Sequence, residues 1–214
     1  MKRRTFIFHL LFFICFLAAC APTVSSVTPQ VVIVYSTEAA LPWLVELYPC
    51  AADLGVALYI SVDSPDIFLR LGQPADLATP AFQIDTEDIL VVVNKQSPLG
   101  NLTLAQVRII FAGQGDPSVQ VWAYASDADT QGLFETAVMD GRSVASFARL
   151  AVSARQMSEA LSADANAVGI LPRRWMTDQL RELFVAASVP VLALTPSEPA
   201  GSVRDLIACL QKDD

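Results

Sequence analysis

Residues 89–113, ILVVVNKQSPLGNLTLAQVRIIFAG, restrict the fold of this 214-residue chain more than any other stretch, because a strand, a turn and a capped helix follow one another without a gap. The run 89–94 is apolar on both faces, as a strand inside a parallel sheet covered by helices must be. Pro98 and Gly100 break it. Thr103 and Gln106 then form a T-x-x-Q capping box, Leu104, Val107, Ile110 and Phe111 fall on one helical face, and Gly113 ends the helix.

The same alternation recurs along the chain. Apolar runs predict strands over 31–35, 56–61, 75–78, 119–125, 167–171 and 189–194. Helical spacing and capping residues predict helices over 39–48, 64–71, 130–139, 153–162, 172–184 and 202–211. The helix over 130–139 is closed by Asp140-Gly141, and Ser153 with Gln156 caps the next one. This order is that of an α/β protein with mostly parallel sheets flanked by helices.

The N-terminus carries an address. Lys2, Arg3 and Arg4 precede a thirteen-residue apolar stretch over 5–17, the layout of a secretory signal and short for a membrane span, which needs about 20 apolar residues. Leu17-Ala18-Ala19-Cys20 resembles a bacterial lipobox. Residues 1–19 are therefore expected to be a lipoprotein signal peptide, with Cys20 the acylated N-terminus and membrane anchor. An uncleaved anchor helix, or an ordinary signal cut at Ala19, is the alternative. Residues 20–30, rich in Pro, Ser and Thr, read as a lipidated tether.

Processing at Cys20 removes three of the 14 basic side chains and none of the 22 acidic ones, for a net charge of −11. Nucleic acid is excluded as a partner on that balance. The only histidine, His9, is lost too, and with it the commonest general base and a common metal ligand; no cofactor or metal is expected. Cys50 and Cys209 remain as a pair in an oxidising compartment, where a disulfide is the simplest reading and two buried thiols the other.

The wording of 89–113, the segment Ala75-Asp76-Leu77-Ala78-Thr79-Pro80 and the segment Asp164-Ala165-Asn166-Ala167-Val168-Gly169-Ile170 resemble the phosphate-importer group of ABC-type solute-binding proteins over roughly 31–211. The resemblance implies a two-lobed, type II periplasmic-binding-protein-like fold, with 31–88 and 186–214 as lobe I and 89–185 as lobe II. It also implies a monomer that captures a small solute and passes it to an ABC permease. The chain departs from the group in two places. The Ser-Gly-Thr turn that would grip an anion is Ser126-Asp127-Ala128-Asp129-Thr130, and the tyrosine of an "AIGY" segment is Ile170.

Ligands of open α/β sheets sit beyond the carboxyl ends of strands, near helix N-termini. Ser36, Thr37, Thr79, Ser126 and Thr130 occupy such expected loops, and their hydroxyls suit an oxyanion or a small polar solute. Each of them could instead only cap a helix. Asp127 would accept a hydrogen bond from a protonated anion or pair with a cation. Asp127 and Asp129 resemble the start of a calcium loop, but its twelfth position is Val138 where a bidentate Glu is required, so a helix N-terminus favoured by negative charge is the plainer account. Tyr35, Trp43, Trp122, Tyr124 and Trp175 could line a cleft or fill a core, while Arg173 and Arg174 read as solvated surface.

Three functions follow. The first is a lipid-anchored, extracytoplasmic solute-binding protein for a small polar or anionic solute, phosphate-like oxyanions included. The second is a binding-protein-like sensor or scaffold lipoprotein that no longer serves transport. A hydrolase using Asp127 and Asp129 is third; without His, G-x-S-x-G or S-x-x-K in the mature chain it has little to work with, and the chain is read as a non-enzyme.

Overall fold

The apolar run that opens at Ile89 belongs to a much longer strand. The computed structural model describes residues 30–211, so Cys20, the leader and most of the tether lie outside the described residues. In chain order the elements are β1 (Gln30–Ser36), α1 (Leu41–Leu54), β2 (Val56–Ile60), β3 (Ile67–Leu71), β4 (Ala81–Asn94), α2 (Leu104–Phe111), β5 (Gln120–Tyr124), α3 (Asp129–Ala137), β6 (Arg149–Ala151), α4 (Ala154–Ala163), β7 (Ala167–Pro172), a 3₁₀ turn (Arg173–Trp175), β8 (Leu180–Leu194) and α5 (Gly201–Leu210).

The strands hydrogen-bond in the order β2-β1-β3-β8-β4-β7-β5-β6. The flanks are parallel as expected: β1 pairs with β2 and β3, and β5 with β6 and β7. The centre is antiparallel, because β4 and β8 run alongside each other from Ala81 opposite Leu194 to Asn94 opposite Leu180. The first part of β4 lies beside the end of β8 that carries β3, and its second part carries β7. Register shifts between Gln83 and Asp85, Ile89 and Leu90, and Val91 and Val92 bend the pair as it passes from one flank to the other. The boundaries expected at 88/89 and 185/186 therefore fall inside continuous strands.

Three expected elements differ. The helix over 64–71 is strand β3, because Ile67, Leu69 and Leu71 alternate with less buried Phe68 and Arg70 at a period of two. The strand over 75–78 is a loop. The helix over 172–184 is reduced to the 3₁₀ turn, and the stretch from Leu180 onward, with few β-branched residues before Val189, extends β8 because pairing with β4 outweighs local helix preference. Strand β6 had no expectation at all.

Ile89 to Val93 are fully buried. The Thr103 capping box forms, with the Thr103 N–H donating to Gln106 Oε1 at 2.8 Å, and α2 buries Val107 and Phe111. Phe111 packs on Phe134 of α3, ring centroids 4.7 Å apart. Helix α1 buries Trp43, Leu44, Leu47, Cys50 and Ala51 on one face and ends at Gly55, whose φ of 65° suits glycine. The expected Cys50–Cys209 disulfide joins α1 to α5, with Cα atoms 6.1 Å apart. Among the described residues no helix is long and apolar enough to cross a membrane.

Candidate functional site

A cavity of about 420 Å³ opens where β1, β5 and β6 end and α3 and α4 begin. This is the placement expected for a ligand in an open α/β sheet, since the first N–H groups of each helix have no partner within it. Three of the candidate site residues, Thr37, Asp127 and Thr130, line it, together with Tyr35, Glu38 and Ser153.

Hydrogen bonds fix the walls. Ser36 is buried and its hydroxyl donates to the Thr37 carbonyl at 2.8 Å, while the Thr37 N–H donates to the Leu69 carbonyl at 3.0 Å. Ser36 thus shapes the turn from behind and does not line the cavity. On the opposite wall, the Tyr124 N–H donates to the buried side chain of Gln131 at 2.9 Å, which ties the end of β5 to α3. The Ser153 hydroxyl accepts from the Gln156 N–H at 3.1 Å and caps α4.

Asp129 joins the walls. Its Oδ2 accepts from the Thr37 hydroxyl at 2.7 Å and from the Leu71 N–H at 3.0 Å, and its Oδ1 accepts from the Thr130 N–H at 2.8 Å. Both carboxylate oxygens are engaged with the chain's own donors, so the pattern that resembled a calcium loop is used otherwise. Among the described residues no group of three or more His, Cys, Asp or Glu is placed to hold a metal. Next to Asp129, the Tyr124 hydroxyl is buried with no hydrogen-bond partner among the described residues, and burial, followed by the negative charge of Asp129, pushes its ionisation well above the ordinary tyrosine range. Among the described residues no Lys, Arg or His lines this cavity.

Two expected residues lie elsewhere. Ser126 borders a neighbouring cavity of about 390 Å³ with Gln131, Glu135 and Ser143. Thr79 is exposed on the loop that returns from β3 to β4. Ala81 pairs with Leu194, which also faces Phe68, so that loop has come back to the start of the β3 ladder and Thr79 sits away from the cavity. The expectation for Thr79 rested on a strand over 75–78 that does not form. Tyr35 and Tyr124, read from the sequence as able to line a cleft or fill a core, both line the cavity, whereas Glu38 and the Leu71 N–H that binds Asp129 were not among the expected site groups.

A second polar cluster lies beside α1. Arg174 pairs with Glu46 and with Asp85 at 2.7 Å, and its guanidinium sits 4.5 Å from the centroid of the Trp43 ring. The Trp43 indole donates to Asp85 at 2.9 Å and the Trp175 indole to the Ala39 carbonyl at 3.2 Å. Burial alone would raise the Asp85 carboxyl, but the Thr86 N–H, the Trp43 indole and Arg174 together hold it below its usual range. Arg173 pairs with Asp88 at 3.0 Å and Glu182 at 2.9 Å. These arginines are structural ion-pair partners rather than isolated solvated side chains.

No protein-family model and no curated protein matches the chain. Solved structures do. A Clostridium perfringens protein named in its description as a putative phosphate ABC transporter substrate-binding protein, with bound phosphate, superposes with a TM-score of 0.77 at 14% identity, covering 86% of this chain and 94% of that one. An ABC-type phosphate transport receptor from Vibrio cholerae gives 0.66 at 17% identity over 85% and 94%. A variant of the OxyR2 regulatory domain from Vibrio vulnificus gives 0.65 at 8% identity over 88% and 99%. Likeness at these identities defines the fold alone: the chain has a mixed α/β, periplasmic-binding-protein-like fold. Transport receptors and regulatory domains share that fold, so the ligand and its use are argued from the site.

Proposed function

We propose that the chain is a lipid-anchored, extracytoplasmic solute-binding protein that captures a small polar solute in the cavity beside Thr37, Asp127 and Thr130 and delivers it to an ABC importer. In this reading 31–88 with 186–214 form one lobe, 89–185 form the other, and β4 and β8 are the strands between them. The observation that carries the reading is the cavity itself: its walls come from β1 on one side and from β5, α3 and α4 on the other, and hydroxyls and helix N-termini meet there. The fold it shares with a protein crystallised with bound phosphate supports the same use. Ser36 supports the turn beside the site, Ser126 borders the neighbouring cavity, and Thr79 lies away from both.

Lipidation at Cys20 would keep the protein at the outer face of a membrane, with residues 20–30 as the tether. Fatty-acid labelling that is lost in Cys20→Ala tests the anchor. A thermal-shift screen of oxyanions, sugars and amino acids tests solute binding; a shift that disappears in Thr37→Val together with Thr130→Val places the solute in this cavity, and an unchanged shift places it elsewhere. A second reading, a sensor or scaffold that no longer serves transport, draws on the Asp129 bridge, which already joins the cavity walls through the chain's own groups.

A further inference from the structure

The donors around Asp129 are arranged as if for an anion. A hydroxyl from the end of β1, an N–H from the last residue of β3 and an N–H from the first turn of α3 converge on one carboxylate, and they come from parts of the chain 58 and 92 residues away as well as from the adjacent residue. Charge-assisted bonds of this kind are the ones that an oxyanion would make with the same donors. A carboxylate presents two oxygens much as one edge of a phosphate or sulfate does. Nearby, the Tyr124 hydroxyl is buried and without a partner among the described residues, and Glu38 and Asp127 also line the cavity.

We propose that the Asp129 carboxylate is this chain's own occupant of an oxyanion site, and that Asp129 thereby determines specificity: phosphate-type anions are refused, leaving neutral or cationic polar solutes as the class that the cavity admits. The inference rests on the cavity being the solute site. It is carried by three facts together: all three donors are already taken by Asp129, two more acidic residues, Glu38 and Asp127, line the cavity, and no basic residue lines it among the described residues. A dianion entering beside Asp129 would meet like charge with no basic residue among the described lining to offset it.

Isothermal titration of the full chain with inorganic phosphate and with sulfate, for wild type, Asp129→Ser and Asp129→Asn, tests this. Serine removes both charge and volume, and asparagine removes the charge while keeping the shape, so one variant serves if the other folds poorly. The expected result is no measurable phosphate binding by wild type and binding at least about 100-fold tighter in Asp129→Ser, with sulfate following the same order. Phosphate binding by wild type that equals or exceeds that of both variants overturns the proposal, as does a folded pair of variants that gains none. Gain of phosphate binding on replacing Asp129 reports on the donor set alone, whereas the solute-binding reading is judged on wild type by the thermal-shift screen, so the two can fail separately.

Discussion

Glu87 carries a carboxyl into the long β4–β8 pair, and its replacement by glutamine should stabilise the protein at neutral pH. The residue is 3% exposed and stands opposite Val189. Its Oε1 accepts from the Asp88 N–H at 3.0 Å, while Oε2 is buried with no hydrogen-bond partner among the described residues. Burial pushes the carboxyl up from 4.5 to about 6, against the opposing pull of the Asp88, Arg173 and Arg174 backbone N–H groups and the Arg174 charge. Between those two values the folded state holds more protons than the unfolded chain, so stability falls as pH rises through the window. Above about 6 the full cost applies, roughly 2 kcal/mol at 1.36 kcal/mol per unit. Glu87→Gln has no such titration. Urea unfolding of both proteins from about pH 4 to about pH 7 should therefore show the variant gaining ~2 kcal/mol relative to wild type across the range, and taking the difference cancels the carboxylates the two proteins share. A difference that does not change with pH, or one in which the variant loses ground above pH 6, refutes the reasoning.

Cys209→Ser should lower stability by up to ~5 kcal/mol on the chain-entropy model, because the bridge to Cys50 closes a loop of 159 residues; urea unfolding measures the loss, and peptide mapping without reductant should recover the Cys50–Cys209 pair from wild type. Gly169→Ala should cost about 1–3 kcal/mol, because a Cβ there would lie 2.6 Å from the Met157 sulfur and 3.1 Å from Leu161 Cδ2, both on the fully buried face of α4. A melting temperature equal to wild type would mean that α4 yields freely.

Sequence and structure agree where a local signal and its tertiary use coincide. The Thr103 capping box, the helix begun at Ser153 and the burial of 89–93 depend on spacing within one element, and all three form. They part where pairing partners far along the chain decide. The polar stretch from Gln83 to Asp88 has no apolar run to mark a strand, yet it extends β4 because β8 lies beside it. The stretch before Val189 reads as helical until its partner is known. The same limit governs the site. Thr37 is legible as a hydroxyl just after a strand and Thr130 as one at a helix start, but Thr79 depended on an element that does not form. The role of Asp129 requires Thr37 and Leu71 to be brought to it from 92 and 58 residues away.

The short segment between β1 and α1 is held from two sides. Asp129 holds Thr37 from one and the Trp175 indole holds the Ala39 carbonyl from the other, and both Thr37 and Ala39 line the cavity. The two restraints are not equal. The Arg174 pairs that flank Trp175 involve side chains 21 to 38% exposed, where solvent and salt reduce an ion pair to about 1 kcal/mol or less. The Asp129 bonds are charge-assisted, and one of them satisfies the N–H of Leu71, a fully buried residue that would otherwise lose its partner. Added salt should therefore loosen the Arg174 side of this segment first and leave the Asp129 side in place.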